Sequence, residues 1–119
     1  MIPIKIILTT DGVKHFYKGF LNKDSHDKEI QYLDENMDTV NIFISDGKIE
    51  INRSNSIMKF DTQNDHQFSY CTEYGNLLFK LVTKFLLIDE TYFKIEYSLY
   101  DEFDILAHKN IILLEYIKE

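Results

Sequence analysis

Arg53 is the side chain whose type and position best suit it to bind a ligand. It follows Ile49 and Ile51 at intervals of two, so an extended chain places its guanidinium on the same face as these apolar side chains. A guanidinium that points into a cavity can pair with a carboxylate or a phosphate through two parallel hydrogen bonds. If the strand instead ends at Asn52, Arg53 lies in the following turn, exposed or paired with a nearby aspartate. The sequence therefore predicts a ligand-binding arginine and leaves a structural role open.

Three tyrosines, Tyr70, Tyr74 and Tyr97, are the second set of candidates. Each combines an apolar ring with a hydroxyl, and the three could line the cavity that Arg53 faces. Aromatic side chains on an alternating face more often fill a core than contact a ligand. We therefore predict these tyrosines as ligand-lining residues, with core packing as the alternative.

Residues 34–38 read Asp-Glu-Asn-Met-Asp and resemble the opening of a calcium-binding loop. The next residue is Thr39 where such a loop needs glycine, and Ser45 stands where a bidentate glutamate is needed. The flanking segments also have the alternation of strands rather than helices. The segment is predicted to be an acidic hairpin turn.

The histidines and the single cysteine form no metal-binding or catalytic pattern. No histidine lies two or four residues from another histidine or from Cys71, and the nearby aspartates offer only two ligands in any one loop. Nothing near Cys71 in the sequence is expected to activate its thiol, and the four glycines form no phosphate-binding cluster. We expect no metal, no cofactor and no enzymatic activity. The four histidines are His15, His26, His66 and His108.

The composition indicates one globular domain, residues 1–119, with enough apolar side chains for a core. Apolar residues make up 45% of the chain and include nine Phe and eight Tyr. A net charge of −7 repels phosphate backbones and anionic headgroups, which argues against nucleic acid and membrane surfaces as partners. A single cysteine and the lack of a signal-peptide pattern favour the cytoplasm.

The element that must position these side chains is a meander of short strands. Residues 39–60 hold three apolar alternations, separated by Asp46-Gly47 and by a polar reversal at residues 54–56. The residues between 76 and 88 fit a strand and a helix equally well; the strand-like neighbours favour a strand. Residues 22–27 are predicted to form a loop. Similar alternations occupy residues 1–10, 13–21, 29–35, 68–72, 91–100 and 105–117.

This pattern predicts an all-β fold with eight to ten strands. The turns are short, so consecutive strands are expected to pair antiparallel along the whole chain. An up-and-down sheet of this many strands tends to close, because closure removes its edges. We therefore predict a single antiparallel meander β-barrel.

The order and spacing of three segments resemble the YwiB-like family of small bacterial proteins. They are residues 49–60 (Ile-Glu-Ile-Asn-Arg-Ser-Asn-Ser-Ile-Met-Lys-Phe), residues 70–75 (Tyr-Cys-Thr-Glu-Tyr-Gly) and residues 95–99 (Ile-Glu-Tyr-Ser-Leu). The resemblance extends from Ile4 to Tyr116. It implies a calycin-like barrel, similar to lipocalins and fatty-acid-binding proteins, and no known activity.

Two functions fit these expectations. In the first, the barrel interior holds a small apolar or amphipathic ligand, and Arg53 or a tyrosine hydroxyl fixes its polar group. In the second, aromatic and aliphatic side chains fill the interior and the outer surface binds another protein, including a second copy in a homodimer.

Overall fold

The computed structural model describes residues 1–24 and 26–119, which form ten antiparallel β-strands. The all-β meander predicted from the sequence is confirmed. Within the described residues, no helix is long and apolar enough to cross a membrane. The strands are β1 (Ile2–Thr10), β2 (Val13–Lys23), β3 (Lys28–Leu33), β4 (Thr39–Ser45), β5 (Lys48–Arg53), β6 (Ser56–Phe60), β7 (His66–Thr72), β8 (Gly75–Ile88), β9 (Tyr92–Tyr100) and β10 (Leu106–Lys118).

Two-residue turns fix the register of the central meander. Asp46 and Gly47 both have positive φ, 52° and 73°, as the two central residues of a type I′ turn require. This turn pairs Ser45 with Lys48 and so aligns β4 with β5. Because side chains alternate along a strand, the register sends the isoleucines of both strands to the same interior.

The strands form one sheet that curls into a nearly closed barrel. The order is β6-β5-β4-β3-β2-β1-β10-β9-β8-β7, so the first and last strands of the chain are neighbours. Consecutive strands pair throughout, with one exception that the sequence did not predict: β6 and β7 are the two edges of the sheet. We call the gap between them the seam.

The chain crosses the base of the seam by binding to β8 rather than by continuing a ladder. The backbone N–H of Asp61, directly after β6, donates to Thr83 Oγ1 on β8 at 3.1 Å. The Asp61 carboxylate accepts from the N–H of Gln63 at 2.9 Å and from Asn64 Nδ2 at 3.1 Å. These bonds fix the connection at residues 61–65. Because this connection is not a hairpin turn, it sets no register between β6 and β7.

The ambiguous segment between residues 76 and 88 is extended. Its residues belong to β8, which pairs with β7 on one side and with β9 on the other. A helix is therefore wrong for this segment. One extra residue at Lys84 shifts the register between Thr83 and Phe85, which is a β-bulge.

The second strand is longer than predicted, because β2 continues to Lys23 and pairs there with Lys28. The loop predicted at residues 22–27 is correspondingly shorter, and it includes Ser25, which lies outside the described residues.

Apolar side chains from all ten strands pack the barrel interior. Phe60 and Phe93 are the largest of the fully buried side chains, with exposed fractions of 0% and 1%. Isoleucines and leucines of β1 to β5 and of β8 to β10 fill the space between them. The interior near its middle is therefore a packed core rather than an open cavity. Its fully buried members include Ile4, Ile6, Leu21, Ile30, Ile42, Ile49, Leu81, Ile95 and Leu114.

Candidate ligand-binding site

Arg53 lies at the last position of β5, paired in register with Ser56 of β6. It continues the inward row of Ile49 and Ile51, as the alternation predicted, but its side chain is exposed. It therefore lies at the rim of the barrel. We call this rim, which carries the turns at residues 11–12, 34–38, 54–55, 73–74 and 101–105, the upper end. Among the described residues, no hydrogen bond or salt bridge holds the Arg53 guanidinium.

Two tyrosines and a glutamate face the Arg53 charge across the upper end. Tyr17 donates its hydroxyl hydrogen to Glu35 Oε2 at 2.7 Å, and its ring lies 4.7 Å from that of Tyr32. Burial raises the pKa of the Tyr17 and Tyr32 phenols, and the positive charge of Arg53 opposes both rises. The hydrogen bond from Tyr17 lowers the pKa of Glu35. The Arg53 guanidinium therefore interacts electrostatically with Tyr17, Tyr32 and Glu35, and among the described residues it forms a hydrogen bond or salt bridge with none of them.

Sequence reasoning did not single out Tyr17 or Glu35 because Tyr17 lies on β2 and Glu35 lies in the turn between β3 and β4. Tyr32 shares the inward face of β3 with Ile30, and both are buried. Strand register brings these side chains together. Gly19 lies two residues after Tyr17 on β2 and pairs with Tyr32 of β3. That register is visible only once β2 and β3 are paired.

Tyr97 lies inside the barrel below Arg53 and is 6% exposed. Its ring packs edge-on against Phe60, with the centroids 5.0 Å apart. Burial raises the pKa of the Tyr97 phenol, while the positive charge of Arg53 lowers it. The Asn110 amide lies 2.7 Å from Tyr97 Oη, and its best orientation lets its oxygen accept from the phenol while its nitrogen donates to Asp11 Oδ2 at 2.7 Å. Tyr97 is therefore a core residue that reaches the polar rim.

Tyr70 and Tyr74 lie on the hairpin formed by β7 and β8. Tyr70 continues the inward row of Phe68 and is 40% exposed, with its ring 6.3 Å from the Phe68 ring. Tyr74 lies in the turn at the tip of the hairpin and is 93% exposed. Arg53, Tyr70 and Tyr97 therefore share the upper part of the barrel, whereas Tyr74 projects beyond it.

The seam contains the largest depression that we describe on the surface, with a volume of about 750 Å³. We call it the seam cleft. Ser56, Ile57 and Lys59 of β6 line one wall, and residues of β7 line the other. Arg53 and the Ser54-Asn55 turn form its upper end. The lining residues of β7 are His66, Gln67, Ser69 and Cys71.

The backbone groups that face the seam cleft follow from the hairpin registers. Arg53 pairs with Ser56 across a two-residue turn, so this pair is hydrogen-bonded and every second residue of β6 bonds to β5. The N–H and C=O groups of Ile57 and Lys59 therefore point into the seam. The Thr72–Gly75 pair sets the same alternation on β7. There the groups that point into the seam are those of Gln67, Ser69 and Cys71.

The described residues contain no group of three or more His, Cys, Asp or Glu side chains placed to hold a metal ion. The Asp34 carboxylate accepts the backbone N–H groups of Asn36 at 2.9 Å and Asp38 at 3.0 Å. It therefore closes the predicted acidic turn. His66 Nε2 lies 3.7 Å from Asp61 Oδ2 at the base of the seam, where Lys48 Nζ approaches the same oxygen at 3.7 Å.

Comparison with known proteins gives a family and a fold. A crystal structure of the ywiB protein from Bacillus subtilis superposes with a TM-score of 0.73 at 18% identity, covering 99% of this chain and 92% of that chain. No curated protein matches the chain. The model of a domain of unknown function, DUF1934, matches residues 4–112. The chain therefore belongs to the DUF1934 family.

Proposed function

We propose that this protein is a non-enzymatic binding module that holds an amphipathic ligand in the seam cleft. In this proposal Arg53 contacts a carboxylate or phosphate group of the ligand. The observation that carries it is a guanidinium with no hydrogen bond or salt bridge among the described residues, located at the upper end of a cleft of about 750 Å³. Ligand-binding clefts generally have volumes of about 300–1,000 Å³.

Because side chains fill the barrel interior, we propose the seam rather than the lumen as the ligand site. Phe60, Phe93 and the surrounding isoleucines occupy the space that a lipocalin-like ligand would need. The seam, in contrast, is open along the side of the barrel and begins at the same arginine. Tyr97 and Tyr70 then support the rim, and Tyr97 does so from within the core.

The charge of the cleft favours an anionic ligand. Although the chain carries a net charge of −7, none of the described residues that line the cleft is acidic, and two of them are Arg53 and Lys59. The Asp61 carboxylate, which lies 3.7 Å from His66 at the base of the cleft, is already engaged by Asn64 and Lys48. A charge-assisted hydrogen bond to Arg53 is stronger than a neutral one and would orient the ligand.

Native mass spectrometry of the gently purified protein tests this proposal. The bare protein is also offered decanoate and a blocked glutamate-rich octapeptide. We expect an added mass that is lost on denaturation and is reduced about ten-fold in Arg53→Gln. Lys14→Gln, which removes the same charge from an exposed position of β2, is the matched control and should bind normally. Equal binding by both variants, or no binding by any of the probes, would contradict the proposal.

A second candidate function is self-association through the outer face of β1, β2 and β10. Phe16 and Ile117 are 72% and 63% exposed there and flank a shallow apolar depression of about 330 Å³. Exposed apolar side chains that lie together often mark a protein interface. Sedimentation of Phe16→Ser, with the equally exposed Phe103→Ser as control, tests a homodimer. A monomer at all concentrations would exclude it.

A further inference from the structure

We propose that the ligand of the seam cleft is an acidic polypeptide segment that binds in an extended conformation and adds a strand to β7. This inference rests on the proposed function and names its ligand class. An unpaired sheet edge is a template for an added strand, because its N–H and C=O groups lack partners in the sheet. The seam offers two such edges, facing each other across one cleft.

The edge of β7 is the better template of the two. It runs for seven residues, His66–Thr72, whereas β6 runs for five. Three residues, Gln67, Ser69 and Cys71, direct their backbone groups into the cleft, so a bound strand pairs with β7 over roughly 16 Å. A short edge with an outward lysine is a common protection against unwanted pairing, and β6 has both features through Lys59. β7 carries no lysine.

The side chains around the edge define the composition of the segment. Toward the interior, a bound strand meets the buried Phe68 and the half-buried Met58, which favour apolar side chains at alternate positions. Toward the rim and the outer face it meets Arg53 and Lys59. Lys59 pairs in register with Glu50 on the far side of β6, so Arg53 provides the less compensated charge. The segment therefore alternates apolar and acidic residues.

Amide hydrogen exchange followed by NMR tests this inference with a defined probe. The probe is a blocked octapeptide of alternating glutamate and valine; the control peptide has lysine in place of glutamate. We expect the acidic peptide to slow exchange at the Gln67, Ser69 and Cys71 amides at least ten-fold. It should also slow alkylation of Cys71, the only cysteine of the chain, which lies exposed on this wall. The lysine peptide should do neither.

N-methylated peptides separate backbone pairing from charge attraction. One version carries methyl groups on all valine amides and the other on all glutamate amides; the side-chain charges are unchanged. We expect at least one version to bind ten-fold or more weakly, because the methyl groups remove the donors that face β7. In Arg53→Gln the parent peptide should bind about ten-fold more weakly, whereas Lys14→Gln should match the wild type.

The other outcomes distinguish this inference from the proposed function. Arg53-dependent binding of decanoate or peptide, with no amide protection and no effect of methylation, would overturn strand addition and leave the proposed function standing. Protection that rises with protein concentration in the absence of peptide would assign the edge to a second copy and also overturn it. If no anion binds at all, both proposals fail.

Discussion

Replacement of Gly19 by alanine should destabilise the barrel at the point where β2 and β3 approach most closely. A Cβ at Gly19 would lie 2.4 Å from the Gln31 carbonyl oxygen and 3.0 Å from Tyr32 Cβ and from Ile6 Cδ1. The contact with the carbonyl is the decisive one, because 2.4 Å is far below the ordinary 3.4 Å and the atom belongs to a paired backbone. Relief therefore requires β3 to move away from β2.

The expected cost follows from two opposing effects. Overpacking a buried site costs about 1–3 kcal/mol, and the backbone clash places Gly19 at the upper limit of that range. The smaller conformational freedom of alanine in the unfolded chain offsets about 0.4–1 kcal/mol. We expect a net loss of about 2 kcal/mol in the free energy of unfolding, which lowers Tm by about 8 °C in a domain of this size.

Urea unfolding and thermal melts followed by circular dichroism measure this loss. Lys14→Ala is the control, because it changes an exposed side chain of the same strand. The control should stay within about 0.5 kcal/mol of the wild type. Wild-type stability in Gly19→Ala would refute the described approach of β2 and β3. That approach also places Tyr32 beneath the Arg53 rim, so its failure would weaken the account of the site.

Three further predictions concern the core and the base of the seam. Phe60→Ala should cost about 4 kcal/mol in urea unfolding, because the ring is fully buried, whereas the 75%-exposed Phe103→Ala should cost less than about 0.5 kcal/mol; equal losses would contradict the packed interior. Tyr97→Phe should cost about 1 kcal/mol by removing the hydrogen bond to Asn110, and an unchanged midpoint of unfolding would show that the bond adds no stability. The hydrogen bonds from Asn64 and Gln63 lower the pKa of Asp61. The carboxylate therefore stabilises the fold above the usual aspartate pKa near 4, and this stabilisation disappears as pH falls through the lower pKa of the folded state. Asp61→Asn should flatten that acid limb in melts between pH 2 and 6, and a limb identical to the wild type would assign the acid loss to other carboxylates.

The fold was largely predictable because period-two alternation is a local signal. The Asp46-Gly47 turn and the flanking isoleucines specify register within a few residues, and the structure has that register. Residues 77–87 were ambiguous because Leu77, Leu81 and Phe85 fit both periods. The segment is a strand because it pairs with both β7 and β9, which lie on either side of β8 in the sheet. Neither pairing is visible in the sequence of the segment itself.

The seam was not predictable, because a short polar connection at residues 61–65 resembles an ordinary hairpin turn in sequence. The decisive contact is the Asp61 N–H bond to Thr83, 22 residues away. The site was predicted only in part. Alternation indicated that Arg53 faces inward. The position of a strand end relative to the barrel rim depends on the lengths of the neighbouring strands, which one segment of sequence does not contain. Tyr74 likewise projects from a hairpin whose length beyond the rim has no local signature.

Amide hydrogen exchange of the free protein tests the open seam most directly. If the seam is open, the exchange rates of successive amides alternate along the two edge strands. Ile57, Lys59, Gln67 and Ser69 should exchange quickly, while Met58 and Phe68, which bond to β5 and β8, should exchange slowly. Slow exchange at all six amides would show that β6 and β7 pair with each other, and a closed barrel without a seam cleft would contradict the proposed binding site.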